Sequence, residues 1–447
     1  MESKKDIFKA LIREFRSSDV PKVIPREQEL PDWCLEAAPA GSPAPSSMAV
    51  SITGPRRSGK TYRLFQIMEQ LCRRPVAPLP PHRILYINFE DDRLLPMKGA
   101  DLDLLLDAFY ELDPENAEQD VALFLDEIHH VEGWDKFVRR LLEEPRVRVF
   151  LTGSSARLRS GLLMVPPRCR AFSLELLPLS FREYLAFKGV STKGESDVPA
   201  LKYKVRFLLE EYLIYGGFPE VALSELSAKL KVLRDYFDLV VYKDMVEGFG
   251  IRNVALLKDL IKHLVSNVGS AVSLNAFYQG LLPSHRVSRD TVLEYVSYLE
   301  RMDLVRLIPI FSPSDKAQRV NPKRVFTMDN GLRNAVSFLL AEDVERLAKN
   351  LVFQALNKPG RQIFYWKDGG SVDFVTGEDK KLLGINVAYG SEPDPAGMNA
   401  LLALRRAAGR RETDLAVITK DTEKVEGGIS HIPLWKWLLE YYLRSKK

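Results

Sequence analysis

The sequence predicts an α/β chain: a parallel sheet of the P-loop NTPase kind in front, a mostly helical middle, and a second α/β region at the end. Three observations carry this expectation. Short continuous apolar runs alternate with amphipathic stretches from Met48 to about Leu185, as strands covered on both faces of a parallel sheet do. The run Gly54-Pro55-Arg56-Arg57-Ser58-Gly59-Lys60-Thr61 lies between the first of those strands and the first of those helices. Between Ser273 and Met328, helix, turn, helix and hairpin follow one another in the order of a winged helix.

Composition narrows the class without choosing the chemistry. With 447 residues, 46% hydrophobic and 28% charged, the chain has room for about three soluble domains and is neither disordered nor fibrous as a whole. A balance of 64 Lys+Arg against 60 Asp+Glu leaves only +4, so any nucleic-acid surface must be a local patch rather than bulk charge. Cys34, Cys72 and Cys169 are scattered and odd in number, which argues against a disulfide framework or a zinc knuckle. No apolar run nears the ~18 residues of a membrane span, and a reducing cytoplasm is the expected setting.

Residues 1–47 read as an N-terminal helix and linker. Ile7, Phe8, Leu11, Ile12 and Phe15 fall on one helical face and Lys4, Lys5, Lys9 and Arg13 on the other. The polar face also carries Asp6 and Glu14, so packing on the protein body is favoured over membrane binding. Ala38–Ser47 is Pro/Gly/Ser-rich and reads as a loop. Residues 48–190 form the first domain, with strands at Ala49–Thr53, Ile84–Phe89, Val121–Leu125, Val147–Thr152 and Phe172–Leu176. Leu64, Ile67, Met68 and Leu71 mark its first helix, which the prolines from Pro75 to Pro81 end.

Residues 200–340 are expected to be a helical lid and winged helix. One short helix carries Leu274, Phe277 and Leu281; a second, Ser288–Arg301, carries Val292, Tyr295, Val296 and Leu299. Strands at Leu304–Phe311 and Arg324–Met328 follow, joined by the basic loop Ser312–Lys323. Residues 341–447 return to α/β. A helix at Val344–Leu356 precedes strands near Ile363–Trp366, Val372–Val375 and Leu382–Ala388, then a helix over Met398–Ala408 and a strand at Leu415–Ile418.

The chemistry is densest at Gly54–Thr61, which matches G-x-x-x-x-G-K-[ST] in the strand-then-helix context the motif requires. Its glycines let successive amides turn inward around a phosphate, Lys60 reaches the β/γ-phosphates, and Thr61 offers a hydroxyl to Mg²⁺. Tyr62 follows at once and is counted with the ATP-binding stretch. The strand Val121–Leu125 delivers Asp126 and Glu127 at its C-terminal end, where open α/β sheets bind ligands. Asp126 would hold the metal; Glu127 would orient and deprotonate the attacking water, the step that makes hydrolysis out of binding. Ser154, after the strand ending Leu151-Thr152-Gly153, is either a sensor of the γ-phosphate or a helix cap.

These residues resemble a large archaeal and bacterial family of AAA-type ATPases. The likeness runs through GPRRSGKT, INFEDDRL, LDEIHHVEGW, LTGSSARL, LLPLSFREYL, YGGFPE, YKDM, SRDTVLEYVSYLERMDLV, KRVFTMDNGLRNA and IPLWKWLL, nearly the whole chain after the first helix. It implies an ATPase module, a winged helix and a C-terminal domain resembling PD-(D/E)xK restriction endonucleases. A Gly-Arg pair usual in the family is Cys169-Arg170 here. Arg170, Arg168 or Arg157 would supply charge to the γ-phosphate, in cis or from a neighbouring copy in a homo-oligomer, or would simply pair with acids. Arg56 and Arg57 face either phosphate or the acids Glu90–Asp92. His129 and His130 lack metal-site company and read as surface or supporting residues.

The resemblance to nucleases departs from the pattern at the residues that cut. Asp373 stands where the family has its Asp, but Asn386 and Ala388 replace the acid and the lysine of the next strand, and Lys349 replaces the helix acid. One carboxylate of three is a poor metal site, so this domain is read as inactive. DNA contacts, if present, fall to Arg286, Arg289, Lys316, Arg319, Lys323 and Arg324 around the wing. The basic cluster Arg405, Arg406, Arg410 and Arg411 is read instead as a solvated helix end. The reading is then a Mg²⁺-dependent ATPase coupled to DNA through the winged helix. A nucleotide-controlled switch that binds protein partners is the first alternative, and an ATP-dependent nuclease the second.

Overall fold

The computed structural model describes residues 3–35, 48–154, 171–191, 199–282, 287–337, 343–378, 381–390, 392–409 and 411–444. The chain divides into two compact units, Met1–Leu177 and Pro178–Lys447.

The first unit is built on five parallel strands: β1 (Ala49–Gly54), β2 (Ile84–Asn88), β3 (Val121–Asp126), β4 (Val147–Ser154) and β5 (Ala171–Glu175). Their order is β2-β3-β4-β1-β5. The continuous apolar runs follow from burial on both faces. Leu123, Leu125, Val149 and Leu151 enter one core with α1 (Lys4–Ser17), α3 (Leu102–Leu112) and α4 (Trp134–Leu141), while Ala122, Phe124 and Phe150 enter the other with α2 (Lys60–Cys72). Side chains alternate along each strand, so both sets must be apolar. Phe124 and Phe150 stack with centroids 4.6 Å apart.

Helix α1 packs on this unit, as its apolar face demands. Phe8 and Ile12 are buried beside α3, and Lys5 and Lys9 both pair with Glu111 of α3. Ser3 caps the helix by accepting from the Asp6 amide.

The second unit begins with α5 (Phe181–Phe187), α6 (Pro199–Tyr215), α7 (Pro219–Leu223) and α8 (Leu226–Leu239), which continues as a π-helical stretch over Val240–Glu247. Next come α9 (Val254–Ser266), β6 (Ala271–Val272), α10 (Leu274–Leu281), α11 (Arg289–Arg301), β7 (Val305–Ile308), α12 (Asp315–Val320) and β8 (Lys323–Thr327). The three strands form an antiparallel sheet in the order β6-β8-β7. The segment expected as a plain basic loop contains α12, capped by the Ser314 hydroxyl.

After α13 (Asn330–Val336) and α14 (Asp343–Leu356), a six-stranded sheet is built from β9 (Ile363–Lys367), β10 (Ser371–Glu378), β11 (Lys381–Ala388), β12 (Glu412–Thr419), β13 (Lys424–Glu426) and β14 (Ile429–Pro433). Its order is β13-β14-β12-β11-β10-β9. α15 (Pro395–Ala407) covers one face, and α14 with α16 (Leu434–Arg444) the other. The sequence reading places Phe181–Phe187 with the first domain. In the structure Phe181, Tyr184 and Leu185 share a core with α6, α14 and the C-terminal sheet, so that helix belongs to the second unit. Among the described residues no helix is long and apolar enough to cross a membrane.

Candidate active site

The parallel register brings the C-terminal ends of the central strands level. Gly54 lies beside Ser154, and Asn88 beside Asp126, so the loop after β1 and the acids after β3 share one edge. The loop's backbone requires its glycines. A Cβ on Gly54 would stand 2.2 Å from the Leu176 carbonyl oxygen, and Gly59, the N-cap of α2, has φ +96°. Pro55 and Ser58 are buried, Arg56 is half-buried and Arg57 exposed. The amides at the start of α2 face this edge, a natural seat for an anion.

Lys60 is 5% exposed; its ammonium lies 3.2 Å from Glu127 Oε1 and 3.3 Å from the Pro55 carbonyl. Thr61 Oγ1 donates to Asp126 Oδ2 at 2.8 Å. The same carboxylate accepts from Tyr86 Oη at 3.0 Å and, at its other oxygen, from Thr152 Oγ1. Thr152 in turn accepts from the Glu127 amide at 2.8 Å. Complete burial pushes the Asp126 pKa up, against those hydrogen bonds. A hydroxyl and a carboxylate, both hard oxygen donors held together, are the donor set that suits Mg²⁺.

Glu127 sits in the left-handed region, φ +50°, a conformation that costs about 1–3 kcal/mol in a non-glycine residue and is found where a site over-determines it. Burial raises its pKa, but the Lys60 charge and the adjacent His129 outweigh burial and bring it down to about 2. His129 Nδ1 is 3.1 Å from Glu127 Oε2, with its side chain wholly enclosed. Beside this pair, Glu90 meets Arg56 at 2.9 Å and His130 at 3.5 Å; these two partners hold the Glu90 carboxyl well below its usual range. Arg56 therefore meets the acidic neighbour named in the sequence analysis.

A family model described as an AAA domain matches residues 46–185, and one described as a domain of unknown function (DUF8612) matches residues 206–343. The uncharacterized protein MJ1544 of Methanocaldococcus jannaschii is 31% identical over 87% of this chain and 88% of its own. The chain belongs to this family of AAA-domain proteins. An uncharacterized protein of Haemophilus influenzae is 30% identical, covering 87% of this chain and 94% of that protein. Among solved structures, the chain is similar to the Walker-type ATPase PABY2304 of Pyrococcus abyssi (12% identity, 64% of this chain and 90% of that one, TM-score 0.39). It is also similar to the Aeropyrum pernix ORC1 protein in complex with DNA (16% identity, 75% and 98%, TM-score 0.32).

In this AAA-domain protein the remaining site candidates are distributed unevenly. Tyr62 is exposed on the first turn of α2, edge-on to Phe65. The Ser154 backbone lies beside Gly54. Arg157, Arg168, Arg170 and Arg286 lie outside the described residues. Arg289, Lys316 and Arg319 are exposed and Lys323 is half-buried.

Arg324 departs from the expectation of a phosphate contact. Its guanidinium donates to Asp373 Oδ1 at 2.8 Å and to Ser371 Oγ at 2.6 Å, and lies 5.0 Å from the centre of the Tyr365 ring. The physical reason is a buried carboxylate that needs a cation. Asp373 Oδ1 also meets Lys349 at 3.3 Å, and Oδ2 accepts from the Val387 amide at 3.0 Å. Asn386 spends its side chain on the backbone of Asp373, Ser371 and Gly397.

Sequence reasoning missed Tyr86 and Arg26 at the first site and left His129 open between surface and supporting residue. Tyr86 carries a signal, since a hydroxyl on a buried strand needs a partner. His129 follows the acid pair almost directly, yet it reads as a surface or supporting residue until Glu127 turns back on itself. Arg26, which reaches the phosphate loop from the N-terminal segment, has no local signal at all.

Proposed function

We propose that this protein is a Mg²⁺-dependent ATPase whose second unit couples nucleotide turnover to DNA. The observation that carries the reading is the meeting of Lys60 and Thr61 with Asp126 and Glu127 at one sheet edge. Gly54–Thr61, with Tyr62 alongside, would seat the phosphates; Thr61 and Asp126 would hold Mg²⁺, which offsets phosphate charge. Lys60 now rests against Glu127. Once its ammonium turns to a γ-phosphate, the charge that most lowers the Glu127 carboxyl is withdrawn. Glu127 then becomes a better base, able to take the proton of an attacking water while His129 keeps it oriented. ATP binding thus switches on the residue that hydrolysis needs. The reading is tested by nucleotide-dependent thermal shift: ATP with Mg²⁺ raises the melting temperature of the parent and not that of Lys60→Ala.

For the second unit we propose a winged helix spanning α9 to β8 and a nuclease-like C-terminal region without cleavage chemistry. Asp373 supports the latter, because Arg324, Lys349 and an amide already occupy its oxygens. Arg289, Lys316, Arg319 and Lys323 remain as phosphate contacts. Binding of duplex DNA that weakens with salt, and is lost on reversing the charge of Arg289 and Lys316, is the expected result.

One observation favours the protein-binding switch as a second reading. The wing is seated on the C-terminal sheet: the Phe311 amide donates to the Tyr365 carbonyl at 2.6 Å, and the Tyr365 amide to that of Pro309 at 3.1 Å. A wing engaged in this way serves packing as readily as DNA. Absence of binding at low salt would decide for the switch.

A further inference from the structure

The stretch from Ser18 to Leu35 has little regular structure, with one short 3-10 turn at Asp32–Cys34, yet its second half, from Arg26 onward, is fastened to the first unit. Leu30 and Cys34 enter the core with α2. Arg63 of α2 donates to the Gln28 carbonyl, and Gln66 Oε1 accepts from the Arg26 amide at 3.3 Å. The Arg26 guanidinium then forks. One nitrogen donates to the Ser58 carbonyl at 2.9 Å and the other to the Leu177 carbonyl at 2.8 Å.

The Ser58 contact acts on the phosphate loop directly. A trans peptide is planar, with its C=O and N–H pointing opposite ways. Holding the Ser58 oxygen toward Arg26 therefore turns the Gly59 amide to the other side, toward the concavity where successive N–H groups gather around an anion. The next peptide is fixed too, because the Gly59 carbonyl accepts from the Arg63 amide at 2.9 Å. The loop's other end is tied to the same short segment. The Leu176 amide donates to the Thr53 carbonyl at 2.7 Å, and the Leu176 oxygen is what excludes a side chain at Gly54.

We infer that Arg26 is a positioning residue for nucleotide: its two-pronged bridge from Ser58 to Leu177 holds the phosphate loop in its anion-binding shape before any ligand arrives. This rests on the ATPase reading. Lysine could keep the charge but not the fork, since it reaches one carbonyl as a single point donor.

The test is binding of a fluorescent ATP analogue with Mg²⁺ to the full chain. Arg26→Ala and Arg26→Lys should each weaken binding about tenfold or more, the scale of a charge-assisted hydrogen bond. Turnover at saturating ATP should fall by less than about threefold, because the loop is then held by its ligand. Methylguanidinium should restore affinity to Arg26→Ala. If that variant does not fold, Arg26→Lys carries the test. The inference is overturned if the variants bind as tightly as the parent, or if Arg26→Lys recovers parental affinity. It is equally overturned if only the melting temperature falls while the affinity of the folded protein is kept. A parent that binds no nucleotide instead refutes the ATPase reading itself.

Discussion

Replacing Asp373 with alanine asks what a buried acid contributes on β10 of the C-terminal sheet. The side chain is nearly buried, and three donors converge on it: Arg324 at 2.8 Å, Lys349 at 3.3 Å and the Val387 amide at 3.0 Å. Removing one partner of a buried ion pair costs about 3–5 kcal/mol, and a stranded buried amide about 1–3 kcal/mol. These terms overlap. Arg324 also retains Ser371 and Lys349 retains Glu345, so the low end, about 3 kcal/mol, is the expected loss. In a unit of this size that lowers its melting transition by about 6–12 °C. Calorimetry of parent and Asp373→Ala, each with and without Mn²⁺, measures it. A metal site behaves oppositely: its acids repel, so deleting one leaves stability unchanged or higher, and the parent is stabilised by the ion. An unchanged or raised melting temperature, or stabilisation of the parent by Mn²⁺ through Asp373, refutes the reasoning.

Two further predictions follow from the first unit. Phe8 is fully buried between α1 and the sheet, so Phe8→Ala should cost about 3–5 kcal/mol in urea unfolding; a loss below about 1 kcal/mol would mean that α1 is dispensable to the unit. Glu127 has its pKa lowered from 4.5 to about 2. A lowered acid contributes stability that is complete above its ordinary pKa and is lost as pH falls through the folded value. The parent should therefore lose stability more steeply than Glu127→Gln between pH 4.5 and 2. Asp126, raised chiefly by burial and further by the Glu127 charge, tilts the slope the other way, more in the parent than in the variant, so it works against the predicted difference and does not create it. Equal slopes in parent and variant would show that Lys60 and His129 do not hold the carboxylate charged.

Much of the first unit was legible because its chemistry is local. The apolar runs of β1, β3 and β4 became strands because both faces of the sheet's centre are covered, and the phosphate loop is contiguous, so strand, loop and helix identify one another. The acid pair was equally plain at the end of β3. What escaped depends on partners far away in sequence. Arg324 reads as a free cation beside Lys323, and only the fold supplies Asp373, 49 residues on. Residues 26–35 are held by Arg26 reaching out to the Ser58 and Leu177 carbonyls and by Arg63, Arg74 and Arg148 reaching in to the carbonyls of Gln28 and Leu35, a pattern that propensity does not record. His129 reads as either a surface or a supporting residue, and the supporting place beside Glu127 is decided only by the left-handed turn at Glu127, which nothing in the string reveals.

The central claim is that Glu127 converts a nucleotide-binding edge into a hydrolytic one, and single-turnover hydrolysis by Glu127→Gln tests it most directly. The amide keeps the shape of the side chain and leaves Thr61, Asp126 and the phosphate loop untouched. The account predicts ATP affinity within about threefold of the parent with turnover reduced at least about a hundredfold, the scale of a lost general base. Hydrolysis at the parental rate would contradict it.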